Sequence, residues 1–140
     1  MSGQTSGAAR EPAIRVMVMP RDANAHGTIF GGVILSYIDQ AGAIEARSHG
    51  GHRVVTVALD RVEFREPVFV GDVLSFYAET IKVGRTSVVV RVFVEALRFT
   101  NPGEAVPVTT AEITFVAIDE NRNPIPVAEP RTTQESDGSD

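Results

Sequence analysis

The stretch "DANAHGTIFGGVILSYIDQAGAIEARS", Asp22 to Ser48, decides how the rest of the chain folds. A polar loop punctuated by Gly27, Gly31 and Gly32 runs into a segment where Val33, Ile34, Tyr37, Ile38, Ala41 and Ile44 recur at helical spacing. The spacing predicts a helix over Ile29 to Ser48, ended by "HGG" at His49 to Gly51. Leu35, Ala43 and Ala46 fill its other faces, so this helix is expected to be surrounded rather than laid on a surface. Asp39, in the third turn, breaks the pattern. A lone carboxylate in apolar surroundings must give up its water at high cost, so it calls for a partner or a function.

On either side of the helix, the sequence reads as strand. "AIRVMVM" (Ala13 to Met19) is β-rich and stops at Pro20. After the helix come "HRVVTVAL" with "RVEFREP", closed by Pro67, then a "VGD" turn and "VLSFYAETIKV". "GRT" is a compact turn, and the following "SVVVRVFVEALRF" has every even position from Val88 to Ala96 apolar. "TNPGEAVP" reads as a loop before the last strand, "VTTAEITFVAI", and the "DENRNP" turn. The order is β-α-β-β-β-β, an α+β arrangement whose economical solution is an antiparallel sheet curled around the helix. One sheet cannot cover every face of an apolar helix, so a second copy is expected to supply the remaining wall, making a dimer.

At 140 residues the chain suits one domain with a sizeable core. A net charge of −5 with no basic stripe argues against nucleic-acid binding. The lack of cysteine removes disulfides, thiol nucleophiles and thiolate metal sites, and suits a reducing cytoplasm. The N-terminus has no apolar signal region, and no run approaches a membrane span. The folded unit is expected over residues 13–128, between a disordered leader at 1–12 and a disordered acidic tail at 129–140.

Asp39 is the first chemical candidate, as general base or nucleophile in a dry cleft. The competing reading places it on a polar strip with Ser36, Gln40 and Arg47, facing solvent or a partner. Gly31 and Gly32 at the helix start offer amide N–H groups to a carbonyl or oxyanion, and Asn24 adds a neutral donor and acceptor. Taken alone, Asn24 is an ordinary turn residue, and Asp22 needs no role beyond turn or cap. Gly32 and Asp39 are seven residues apart, roughly 10 Å along the axis at ~1.5 Å per residue, too far to act on one carbon. If both act, the helix start of one chain must face Asp39 of another, giving two equivalent sites per dimer. In "VGRTSV", Arg85, Ser87 and turn amides could receive phosphates, although the segment alone reads as a hairpin turn. His49 and His52 flank "GG" without a third ligand nearby, so no metal site is expected. Ser36 has no base at hand.

Four pieces, "MPRDANAHGTIFGGVILSYIDQAGAI", "VVTVALDRVEFREPVFVGD", "VGRTSVVVRVFVEA" and "TTAEITFVAID", span Val16 to Asp119 in order. Together the chain resembles the hotdog-fold acyl-CoA thioesterases, the group of bacterial short-chain and brain-type cytosolic acyl-CoA hydrolases. The resemblance implies a long central helix wrapped by a curved antiparallel sheet, dimers that build the site at their interface, and assembly of dimers into a hexamer. It implies hydrolysis of acyl-CoA without metal or cofactor, CoA being part of the substrate. On this resemblance Asp39 matches the helix carboxylate, and Asn24 lies in the loop that supplies a partner amide. Thr28 stands where relatives carry Asn or Asp. Gly84, Arg85, Thr86 and Ser87 match the segment near the CoA nucleotide. Tyr37, Phe64 and Phe69 are candidate walls of the acyl pocket. An enoyl-CoA hydratase of the same fold would use Asp22, Asn24 and His26, but "DANAH" is one residue too short and lacks the proline. A non-catalytic acyl-CoA sensor would carry an extra DNA-binding domain and no helix carboxylate.

Overall fold

The computed structural model describes residues 10–51 and 53–127. The leader up to residue 9, His52 and the acidic tail expected at 129–140 lie outside the described residues. β1 (Ile14–Met17) is followed by a short 3-10 turn at Pro20–Asp22 and by the single long helix α1 (Gly31–Arg47). β2 (Arg53–Phe64), β3 (Val73–Val83), β4 (Ser87–Arg98) and β5 (Asn101–Ile118) are the remaining elements among the described residues. The strands form one antiparallel sheet in the order β1-β3-β4-β5-β2, so β1 and β2 are its edges.

The alternation in β4 does what period two requires. Val88, Val90, Val92, Val94 and Ala96 all point inward and are buried. They meet Leu74 and Phe76 of β3, Ile113 and Phe115 of β5, and Ile34, Ile38 and Ala41 of α1 in one core. Burying a side chain such as Ile38 completely contributes about 2 kcal/mol. Gly42 brings the helix close to the sheet, because a Cβ there would sit 2.9 Å from Ile113 Cδ1 and 3.0 Å from the Phe115 ring.

One expectation changes. "TNPGEAVP" is not a loop: β5 begins at Asn101, and Ala105, Val106 and Pro107 pair with Leu97, Ala96 and Glu95. The β4 ladder extends the strand past its loop-like composition, and Pro107 sits at a register shift, where a residue without an N–H is tolerated. The helix is covered only in part by its own sheet, as expected of a single copy. Within one chain it packs on β2, β3, β4 and β5, while Gly32, Ser36, Asp39, Gln40, Ile44 and Arg47 stay exposed.

Candidate active site

The loop before α1 is held by its own side chains. Asn24 Oδ1 accepts the backbone N–H of His26 at 2.8 Å and of Thr28 at 3.2 Å, while Asn24 Nδ2 donates to Thr28 Oγ1 at 2.8 Å. Gly27 takes φ 85°, the left-handed conformation that this tight turn needs. Asp22 accepts the Met19 N–H at 3.0 Å and plays the capping part expected of it. Asn24 is thus first a loop tie, with one amide hydrogen unclaimed among the described residues. Ile29 N–H to Val68 O at 2.8 Å fastens the loop to the segment after β2.

Helix α1 then starts without a side-chain cap. Among the described residues the amides of Gly31 and Gly32 have no acceptor, so the positive end of the helix is open. The Phe64 ring lies over Gly31, where a Cβ would come within 3.2 Å of it. Thr28, Gly31, Ile34, Phe64 and Val68 line a cavity of about 320 Å³ beside this helix start. Phe64 is therefore a wall here, whereas Phe69 does not line this cavity and Tyr37 packs on Phe76 at 5.6 Å between ring centroids.

Asp39 lies two turns along the helix. Thr56 Oγ1 of β2 donates to Asp39 Oδ1 at 2.6 Å. Both residues are exposed in the single chain, where Asp39 shares the open face with Ser36, Gln40 and Arg47. The bond occupies one carboxylate oxygen and leaves the other free to act. Thr56 was missed by sequence reasoning. Its signal was a hydroxyl interrupting the valines of "RVVTVAL" one strand from the helix carboxylate.

Gly84 to Ser87 form the β3–β4 turn, closed by Gly84 N–H to Ser87 O at 2.8 Å. Its backbone is also tied to the end of β5 and to the segment beyond it: Thr86 O accepts Ala117 N–H, and Arg85 O accepts Val127 N–H. The Arg85 side chain is exposed. Ser87 pairs with Val116, which pairs with Val55, so the turn lies two strands from the Thr56 region, roughly 10 Å at ~4.8 Å per strand. The structure groups Asp39 with Thr56 and, separately, Asn24 with Thr28 and the glycines. It does not bring these two groups together within one chain.

His26 is exposed, and only its backbone N–H is held. His49 Nε2 meets Thr80 Oγ1 at 2.7 Å, and that hydroxyl donates to Glu45 at 2.8 Å, which ties the helix end to β3. Among the described residues no three His, Asp or Glu side chains converge as metal ligands would.

A family model described as the thioesterase superfamily matches residues 26–98. An uncharacterised acyl-CoA thioester hydrolase of Zymomonas mobilis is 48% identical over 120 residues, covering 85% of this chain and 79% of that protein. The crystal structure of a hexameric hotdog fold thioesterase of Campylobacter jejuni matches with a TM-score of 0.80 at 44% identity, over 84% of this chain and 90% of the other. An acyl-CoA hydrolase of Staphylococcus aureus, solved as a threonine-to-alanine mutant, matches with a TM-score of 0.74 at 34% identity, over 82% and 70%. The same hydrolase was also solved as an aspartate-to-alanine mutant.

Proposed function

The chain belongs to the thioesterase superfamily, and from that premise we propose that it hydrolyses acyl-CoA to free acid and CoA, with Asp39 as the reacting carboxylate. The observation that carries this reading is the Thr56–Asp39 hydrogen bond on an open face of the helix. In the Staphylococcus aureus hydrolase the mutated aspartate and threonine are 17 positions apart, the spacing of Asp39 and Thr56 here.

The chemistry follows from the geometry. The free amides of Gly31 and Gly32 polarise the thioester carbonyl, and they strengthen as the oxygen gains charge in the transition state. Asp39 of the facing subunit, steadied by Thr56, takes a proton from water as its oxygen bonds to the carbonyl carbon. The C–S bond then breaks, and CoA leaves as a thiolate, a good leaving group that needs little acid assistance. Direct attack by Asp39 is the other route; it passes through a mixed anhydride that a nucleophile can trap, whereas water attack leaves nothing to trap. Asn24 shapes the loop and keeps one amide hydrogen for the substrate. Neither metal nor cofactor is required.

The site needs two copies, because the helix start and Asp39 are roughly 10 Å apart in one chain. β2 supports this assembly: it is a 12-residue edge strand whose Val57 is 56% exposed, and Ile44 of the helix is 52% exposed. We infer a homodimer across this face, with dimers gathered into a hexamer; the Campylobacter jejuni thioesterase is hexameric. The Gly84–Ser87 turn is assigned to the CoA nucleotide, and the cytoplasm to the enzyme. No helix among the described residues is long and apolar enough to cross a membrane.

Release of free thiol from a series of acyl-CoAs tests the activity. Steady release is expected; a hydratase or a sensor would release none.

A further inference from the structure

The edge of the sheet away from β2 carries an apolar surface that stays uncovered among the described residues. Val18 continues β1 onto the turn before β3: its N–H donates to Asp72 O at 3.1 Å, and its O accepts Gly71 N–H at 2.9 Å. Val18 is buried, so Met17 and Met19 on either side of it point outward by period two and are exposed. Phe99 lies over Gly71, where a Cβ would come within 3.2 Å of its ring. It is 74% exposed, more than any other large apolar side chain among the described residues. Phe69, in the same turn as Gly71, is exposed too.

These side chains are held in place. Asp72 accepts the N–H of Phe69 and that of Phe99, each at 3.0 Å, so one buried carboxylate fixes the backbone of both aromatics. The Arg98 guanidinium stands over the Phe69 ring, 5.2 Å from its centroid. Ordering such groups in advance lowers the entropy lost when a partner docks. Phenylalanine, methionine and arginine are also residue types enriched at protein interfaces, and a cluster of exposed apolar side chains marks a contact surface.

Its position says what covers it. β1 lies four strands from β2, roughly 19 Å at ~4.8 Å per strand, so a dimer formed across β2 and the open helix face leaves this surface free. Each dimer then carries two such surfaces, one at either end, and takes two neighbours. Dimers linked in this way close into a ring, with no surface left over to extend a filament. We propose that Met17, Met19, Phe69 and Phe99 form the contact between dimers, each copy docking on a copy from the next dimer. The proposal rests on the hexamer inferred above and names its second interface.

Size-exclusion chromatography with light scattering tests it on the full chain, using Met17→Lys and Phe99→Ser. Wild type should run as a hexamer and each variant as a dimer, its mass falling to about one third. Far-UV circular dichroism should be unchanged, and Phe99→Leu, which keeps an apolar side chain, should stay hexameric. Met17 lies outside the core, so Met17→Lys decides the outcome if Phe99→Ser fails to fold. A hexameric wild type with hexameric variants overturns the surface and leaves the hexamer standing. Variants that fall to monomers overturn it as well, by placing these residues in the first interface. A dimeric wild type overturns both the surface and the hexamer.

Discussion

At the scale of single residues, the proposed mechanism divides two jobs between Asp39 and Thr56. Asp39→Asn is nearly isosteric, so it should fold normally while kcat falls at least ~100-fold, the usual scale for an acid–base group. Thiol release within a few-fold of wild type would remove Asp39 from the mechanism. In that mechanism Thr56 acts through Asp39, as a positioning residue. Thr56→Val should lower kcat by ~10-fold or more with KM little changed, and Thr56→Ser, which restores the hydroxyl, should recover most of the loss. Asp39 was legible because a carboxylate in an apolar helix violates its own periodicity. Its exposure was not, since one chain leaves open a face that composition alone reads as covered. Thr109 is a residue with no such task. Its hydroxyl is buried without a hydrogen-bond partner among the described residues. Thr109→Val should therefore stabilise the fold by about 1 kcal/mol, read as a higher urea midpoint at constant slope.

Among elements, the segment between β2 and β3 depends on one buried carboxylate. Asp72 accepts the N–H groups of Phe69 and Phe99, each at 3.0 Å, and pairs with Arg98 at 2.8 Å. Arg98 also donates to Pro67 O at 2.8 Å, so a single knot joins this segment to the end of β4. Asp72→Ala should cost about 4 kcal/mol, because it strands a largely buried guanidinium as well as two amides. Equilibrium denaturation checks this, and a loss below 1 kcal/mol would mean that water replaces the carboxylate. The "VGD" turn could be read from its residues; the knot could not, since Arg98 is 26 positions away and nothing local couples it to Asp72. The same blindness to distant pairing turned "TNPGEAVP" into a loop. Its asparagine, proline and glycine speak for a turn, but the facing strand β4 supplies a ladder that outweighs them.

For the whole molecule, the ~10 Å between Gly32 and Asp39 makes activity, on the proposed mechanism, a property of two chains. Mixing Asn24→Ala and Asp39→Asn subunits should restore activity that neither has alone, provided each mutation is severe. In a mixed dimer one site collects both lesions and the other none. With random exchange half of the dimers are mixed, so recovery should approach about one quarter of wild type. Co-expression with two affinity tags secures the exchange, and inactive verified heterodimers would place Asp39 at work within its own chain. The expectation of a second copy came from the apolar helix; the edge proposed for it could not be read there, because sequence does not tell β2 from β1 as an edge. The position of β1 has a consequence of another kind, for the order in which the chain acquires its shape. β1 pairs only with β3, and Arg15 meets Ser75 across 60 residues. During synthesis β1 therefore waits, unpaired, until the whole helix and β2 have emerged after it from the ribosome. Closing so long a loop costs entropy that four residues of pairing return only in part. The β3–β4–β5 hairpins, whose partners are neighbours in sequence, are expected to nucleate first, and the two edge strands, whose partners lie far along the chain, to be seated on them afterwards.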